Sequence, residues 1–119
     1  MARVVALLPD LLFGSKVQGM LTAAGHEVTV AGSPEAALEQ LGGSDLVVLD
    51  LCEDAERRIA LLAGAGAGAG AKTLAFYLHT DVETRTRALA EGIDLVVPRS
   101  RMAREGAALV EGLLAPAQA

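Results

Sequence analysis

Aromatic residues are scarce: the chain has no tryptophan, and Phe13, Phe76 and Tyr77 supply the 3% of its 119 positions that carry large rings. A core must therefore be built from leucine, valine and alanine. Cys52 is the only cysteine, which excludes an internal disulfide and fits a reducing compartment. Positive charge is in deficit, with 10 Lys and Arg against 15 Asp and Glu and a formal charge of −5, a balance that repels phosphate backbones and argues against nucleic-acid binding. No apolar run reaches membrane-spanning length, and the opening Met1-Ala2-Arg3-Val4 leads into a strand rather than a signal peptide. The expectation is a cytoplasmic protein that does not engage a membrane.

What is present is apolar sequence, 52% of residues, cut into short runs by turn residues. The length suits one domain over 1–119, with 115–119 a frayed tail. Val4 to Leu8 reads as a buried strand stopped by Pro9, which has no amide hydrogen for a ladder. Phe13, Val17, Met20, Leu21 and Ala24 recur at helical spacing before Gly25. Glu27 to Val30 alternates, as an edge strand does. Ser33-Pro34-Glu35 opens a second helix with a hydroxyl cap and a preset proline, and Gly42-Gly43 follows its end at Leu41. Asp45 to Leu49 is a third strand, and Ala55 to Ala63 a helix with Ile59, Leu62 and Ala63 on one face. The alternating Gly-Ala tract 64–71 disfavours helix by about 1 kcal/mol per glycine and reads as a connector. Thr73 to Leu78 is a fourth strand, Thr80-Asp81-Val82-Glu83 a capping box, Asp94 to Val97 a fifth strand before Pro98, and Ser100 a cap for a final helix. Strict strand–helix alternation predicts an α/β fold, a doubly wound five-stranded parallel sheet with helices on both faces.

Asp50 closes the apolar run Leu46-Val47-Val48-Leu49, so it stands beyond the carboxyl end of a central strand, where α/β sheets place their sites. With Asp45-Leu46-Val47-Val48-Leu49-Asp50-Leu51 in the third unit and Arg87-Ala88-Leu89-Ala90-Glu91-Gly92-Ile93-Asp94 leading into the fifth strand, the whole chain from Val4 to Leu114 resembles the receiver domain of bacterial two-component response regulators. The resemblance implies the flavodoxin-like, CheY-like strand order 2-1-3-4-5 and makes Asp50 the candidate phosphoacceptor. It also implies a magnesium ion (Mg2+) held by an acidic pair after the first strand, by the acceptor aspartate and by a backbone carbonyl two residues on, here that of Cys52.

The sequence departs from that pattern. The acidic pair falls on Leu8 and Pro9, or with a shift of one on Pro9 and Asp10, leaving Asp10 as the surviving candidate ligand and Glu53 or Asp54 as replacements. The phosphoryl-binding hydroxyl falls on Tyr77, the small residue after it on Leu78, the switch aromatic on Val96, and the site lysine on Arg99, a planar fork in place of a compact ammonium. Each residue also has a plainer reading. Asp50 and Arg99 can form a structural ion pair, Asp10 can cap a turn or helix, Tyr77 can be a core ring, His79 can be solvated and Cys52 can be a small buried thiol. Arg85, Arg87, Arg99, Arg101 and Arg104 concentrate positive charge on the face formed by helix four, strand five and helix five, where the resemblance places partner contacts.

The expectation is an atypical receiver that is not an enzyme and acts by binding protein partners, a histidine kinase or a downstream signalling protein, without conventional phosphorylation switching. The alternative is a true phosphoacceptor on Asp50 with a rebuilt magnesium site. A flavodoxin-like small-ligand module ranks last, since no glycine-rich phosphate loop follows the first strand.

Overall fold

A computed structural model describes residues 2–64 and 70–115, with side chains excluded at 62–64. The strands are β1 (Arg3–Leu7), β2 (Glu27–Ala31), β3 (Leu46–Asp50), β4 (Lys72–Tyr77) and β5 (Leu95–Pro98); the helices are α1 (Leu11–Ala23), α2 (Pro34–Glu39), α3 (Ala55–Gly64), α4 (Val82–Ala90) and α5 (Arg99–Leu114). They form one five-stranded sheet in the order β2-β1-β3-β4-β5, and every pairing is parallel. The predicted fold class and strand order are both observed.

Side-chain alternation divides the interior in two. Val4, Ala6, Leu46, Val48, Leu74 and Phe76 pack with Phe13, Val17 and Leu21 of α1 and Met102 and Val110 of α5. On the other face Val5, Leu7, Val47, Leu49, Ala75 and Tyr77 meet Ala37, Ile59 and Ala88 of α2, α3 and α4. β3 is buried along its whole length, whereas the edge strand β2 is mostly exposed, as the alternation in its sequence predicts. Gly25 leaves α1 at φ 95° and Gly92 follows α4 at φ 91°, a region open to glycine at little cost.

Several boundaries differ from the sequence reading, mostly by one residue, and each has a local cause. β3 begins at Leu46, and Asp45 just before it is tied to Arg3 twice, its carboxylate accepting the Arg3 N–H at 2.9 Å and its own N–H donating to the Arg3 carbonyl at 2.8 Å. β5 begins at Leu95 because Asp94 accepts both the N–H and the hydroxyl of Thr73 at 2.8 and 3.0 Å. β4 ends at Tyr77, not Leu78, and α2 ends at Glu39, short of Leu41. The cap of α4 is Asp81 rather than Thr80, since its carboxylate accepts the Thr84 N–H at 3.2 Å. α5 starts one residue before Ser100, directly after Pro98, with no side-chain cap. The Ser33 cap of α2 forms as expected. Positions 65–69 of the Gly-Ala connector and 116–119 of the expected frayed tail lie outside the described residues.

Candidate functional site

Parallel strands bring β1, β3, β4 and β5 to a common carboxyl edge, and the loops beyond that edge enclose a cavity of about 370 Å³ lined by Pro9, Asp10, Asp50, Cys52, Glu53, Arg58, Leu78 and Arg99. Asp50 lies at its floor, 6% exposed, and one carboxylate oxygen accepts the Cys52 N–H at 2.8 Å, an Asx turn that folds the chain after β3 back over the strand end.

The predicted Asp50–Arg99 pair does not form; Arg99 turns to α1 instead. Its Nη2 stands 3.3 Å from Asp10 Oδ2, and its guanidinium carbon lies 4.3 Å from the centre of the Phe13 ring. The reason is local: α5 begins at Arg99 beside the N-terminus of α1, where a carboxylate and an aromatic face together offer the guanidinium more than Asp50 does. Asp10 is the N-cap of α1. Its Oδ1 accepts the N–H groups of Leu12 and Phe13, each at 3.0 Å, so the capping reading describes it and both its oxygens are engaged.

Tyr77 is not brought to the cavity. Alternation along β4 turns its ring into the core beneath α2, α3 and α4, where it is 6% exposed. Leu78 takes the place at the rim and remains 46% exposed, so it borders Asp50's cavity without filling it. Cys52 is half-buried. Burial, then the neighbouring Asp50 charge and a hydrogen bond to it, push its thiol up to about 12, while Arg99 and Arg58 pull in the opposite sense. His79 is exposed, as are Arg85, Arg87, Arg101 and Arg104.

Sequence reading missed Arg58. Only 8% exposed, it reaches from α3 to donate from Nη1 to the Asp50 carbonyl at 2.7 Å, and its buried Nε has no partner among the described residues. Its stem borders the apolar cleft formed with Leu38, Leu41 and Leu61. The signal was available: Ala55, Arg58, Ile59 and Leu62 follow the i, i+3, i+4, i+7 spacing of an inward stripe. The charge of Arg58 masked its membership.

Among the described residues no group of three or more His, Cys, Asp or Glu side chains is gathered closely enough to hold a metal ion. Leu8, 2% exposed, belongs to the core, and Pro9 offers no carboxylate. Asp50 and Glu53 are the remaining carboxylates at the cavity. With the acids after β1 reduced to Asp10, whose oxygens are both engaged, this set offers a magnesium ion few ligands of the protein's own.

No family model matches the sequence. No curated protein matches it either. Solved structures do match in fold. A CheY-like response regulator receiver domain protein from Methanospirillum hungatei JF-1 superposes with a TM-score of 0.82 at 18% identity, over 96% of this chain and 94% of that one. Chemotaxis protein CheY4 from Vibrio cholerae gives 0.81 at 18% identity, over 96% and 99%. The receiver domain of a sensor histidine kinase from Pseudomonas aeruginosa PAO1, solved with a magnesium ion coordinated in its active site cleft, gives 0.79 at 13% identity, over 95% and 97%. The chain has the receiver-domain fold.

Proposed function

We propose that this chain is a signalling module of the receiver type that acts by docking protein partners, is not an enzyme, and does not switch by metal-assisted phosphorylation of Asp50. The observation that carries the reading is the commitment of Asp10: the one acid left after β1 spends one oxygen on the α1 cap and faces the other to Arg99. A metal-assisted transfer needs free oxygen ligands around the acceptor carboxylate to neutralise the incoming group, and the cavity retains too few. Val96 in β5 and the inward Tyr77 leave no ring at the cavity whose rotation would relay a change at Asp50 to the surface.

The docking face we assign is α4, β5 and α5. It carries exposed Leu89 and Arg85 from α4 and exposed Arg101 and Arg104 from α5, both within ion-pair reach of Glu105, a mixture of apolar and charged side chains suited to a partly apolar, charged partner surface. No helix of the described residues is long and apolar enough to cross a membrane. The test is incubation with acetyl phosphate and magnesium followed by intact mass spectrometry. The expected result is unmodified protein; a single phosphoryl adduct that disappears in Asp50→Asn would establish the phosphoacceptor reading instead.

A further inference from the structure

The cavity above Asp50 holds a cation of its own. We infer that Arg58, a fixed positive charge lining this cavity, disfavours a divalent ion there, in addition to the shortage of oxygen ligands. The inference rests on the proposed absence of metal-assisted switching and supplies a physical cause for it.

Two observations converge. Arg58 is the one buried arginine among the described residues, and its guanidinium is tied to the acceptor residue itself through the 2.7 Å bond to the Asp50 carbonyl. A second, independent fact is the buried Nε with no partner. A solvated arginine would satisfy that donor, so the side chain is held inward, beside the apolar cleft it lines with Leu38, Leu41 and Leu61. A fixed cation in a partly dehydrated cavity repels a second one, and does so twice as strongly for a divalent ion. Closing the site with an arginine also removes the need for the acidic pair. Leu8 and Pro9 at those positions are then consistent with the rest of the cavity.

The test compares wild type with Arg58→Met, which keeps the stem, Arg58→Gln, which keeps a polar tip without charge, and Arg58→Lys, which keeps the charge. Manganese binding is followed by paramagnetic broadening of backbone amides around Asp50, with urea unfolding as the check of folding. Wild type and the lysine variant should bind at least ~10-fold more weakly than Met and Gln, as expected from keeping one nearby charge in a partly buried site. If Met and Gln match wild type, Arg58 does not exclude the ion and the inference falls, while the docking reading stands on its acetyl phosphate result. If wild type already binds manganese as tightly as the variants, a metal coexists with the guanidinium and the inference also falls. Should the Met variant be unfolded, the Gln and Lys pair still decides the question, because they differ in charge with similar reach.

Discussion

The two ends of the sheet use the same residue types for opposite purposes. At the amino end polar side chains hold strand starts in place. Asp45 accepts the Arg3 N–H at 2.9 Å, and Asp94 and Thr73 exchange hydrogen bonds of 2.8, 3.0 and 2.9 Å. His26, 8% exposed, accepts the Ala2 N–H on Nδ1 at 3.3 Å and so donates from Nε2 to Glu111 at 2.8 Å, joining β1 to α5. At the carboxyl end the carboxylates and arginines converge on a cavity instead. Asp50 has no cation within ion-pair distance of its carboxylate among the described residues, and Arg58 keeps an unpaired donor. Groups bonded to strand starts specify structure; a carboxylate without a paired cation and a donor without a partner at a sheet's carboxyl edge are where binding or chemistry is found.

The sharpest way to break this comparison is to remove one aspartate from each end. Asp94→Ala strands the N–H and hydroxyl of Thr73, itself 1% exposed, and should cost about 2–3 kcal/mol. Asp50→Asn keeps an oxygen for the Cys52 N–H and removes a buried charge, so its stability should equal or exceed that of wild type. Urea unfolding of both variants decides the matter. A large loss in Asp50→Asn would mean that the carboxylate is a structural staple like Asp94, and the contrast between the ends would disappear.

A smaller effect separates the two jobs of Asp10. Asp10→Ala should lose about 1 kcal/mol through the cap of α1, whereas Asp10→Ser, which restores a capping oxygen without the charge facing Arg99, should lie within about 0.5 kcal/mol of wild type. Equal losses in both would give the ion pair, half-exposed on each side, more weight than such pairs ordinarily have.

The same contrast explains what could be read from sequence. Strand and helix placement and the position of Asp50 were legible because they follow from apolar runs and turn residues, which report burial directly, whereas the strand order came from the resemblance. The partners of the site residues were not. Arg99 stands in the sequence position of a residue that pairs with the acceptor, but whether it does so depends on the direction taken by a long side chain, and the Phe13 ring and the Asp10 cap on α1 redirect it. Tyr77 and Leu78 are adjacent, and a strand sends neighbours to opposite faces, so placing the tyrosine at the cavity required knowing which face β4 turns toward α3. Arg58 escaped because a charged residue on an inward stripe is ordinarily assigned to solvent.

The smallest effect concerns Cys52, and its sign follows from the raised thiol. A folded protein whose thiol titrates near 12 holds that proton more tightly than the unfolded chain, whose thiol titrates at its ordinary value near 9. The stability it contributes is therefore complete below the ordinary value and is lost as the pH climbs from there through 12, with no contribution to pH dependence near neutrality. Wild type and Cys52→Ser should thus unfold with a constant difference in urea midpoint from about pH 6 to 8, and wild type should lose ground to the serine variant as the pH is taken to about 10.5. In the same window the folded thiol should react with iodoacetamide at least ~10-fold more slowly than the thiol of the urea-unfolded chain at equal pH, because the thiolate is the attacking form. Parallel midpoints up to the alkaline end, together with a fast thiol, would show that the Asp50 carboxylate and the burial around it do not act on Cys52, and that the carboxyl end of the sheet is more open to water than its cavity implies.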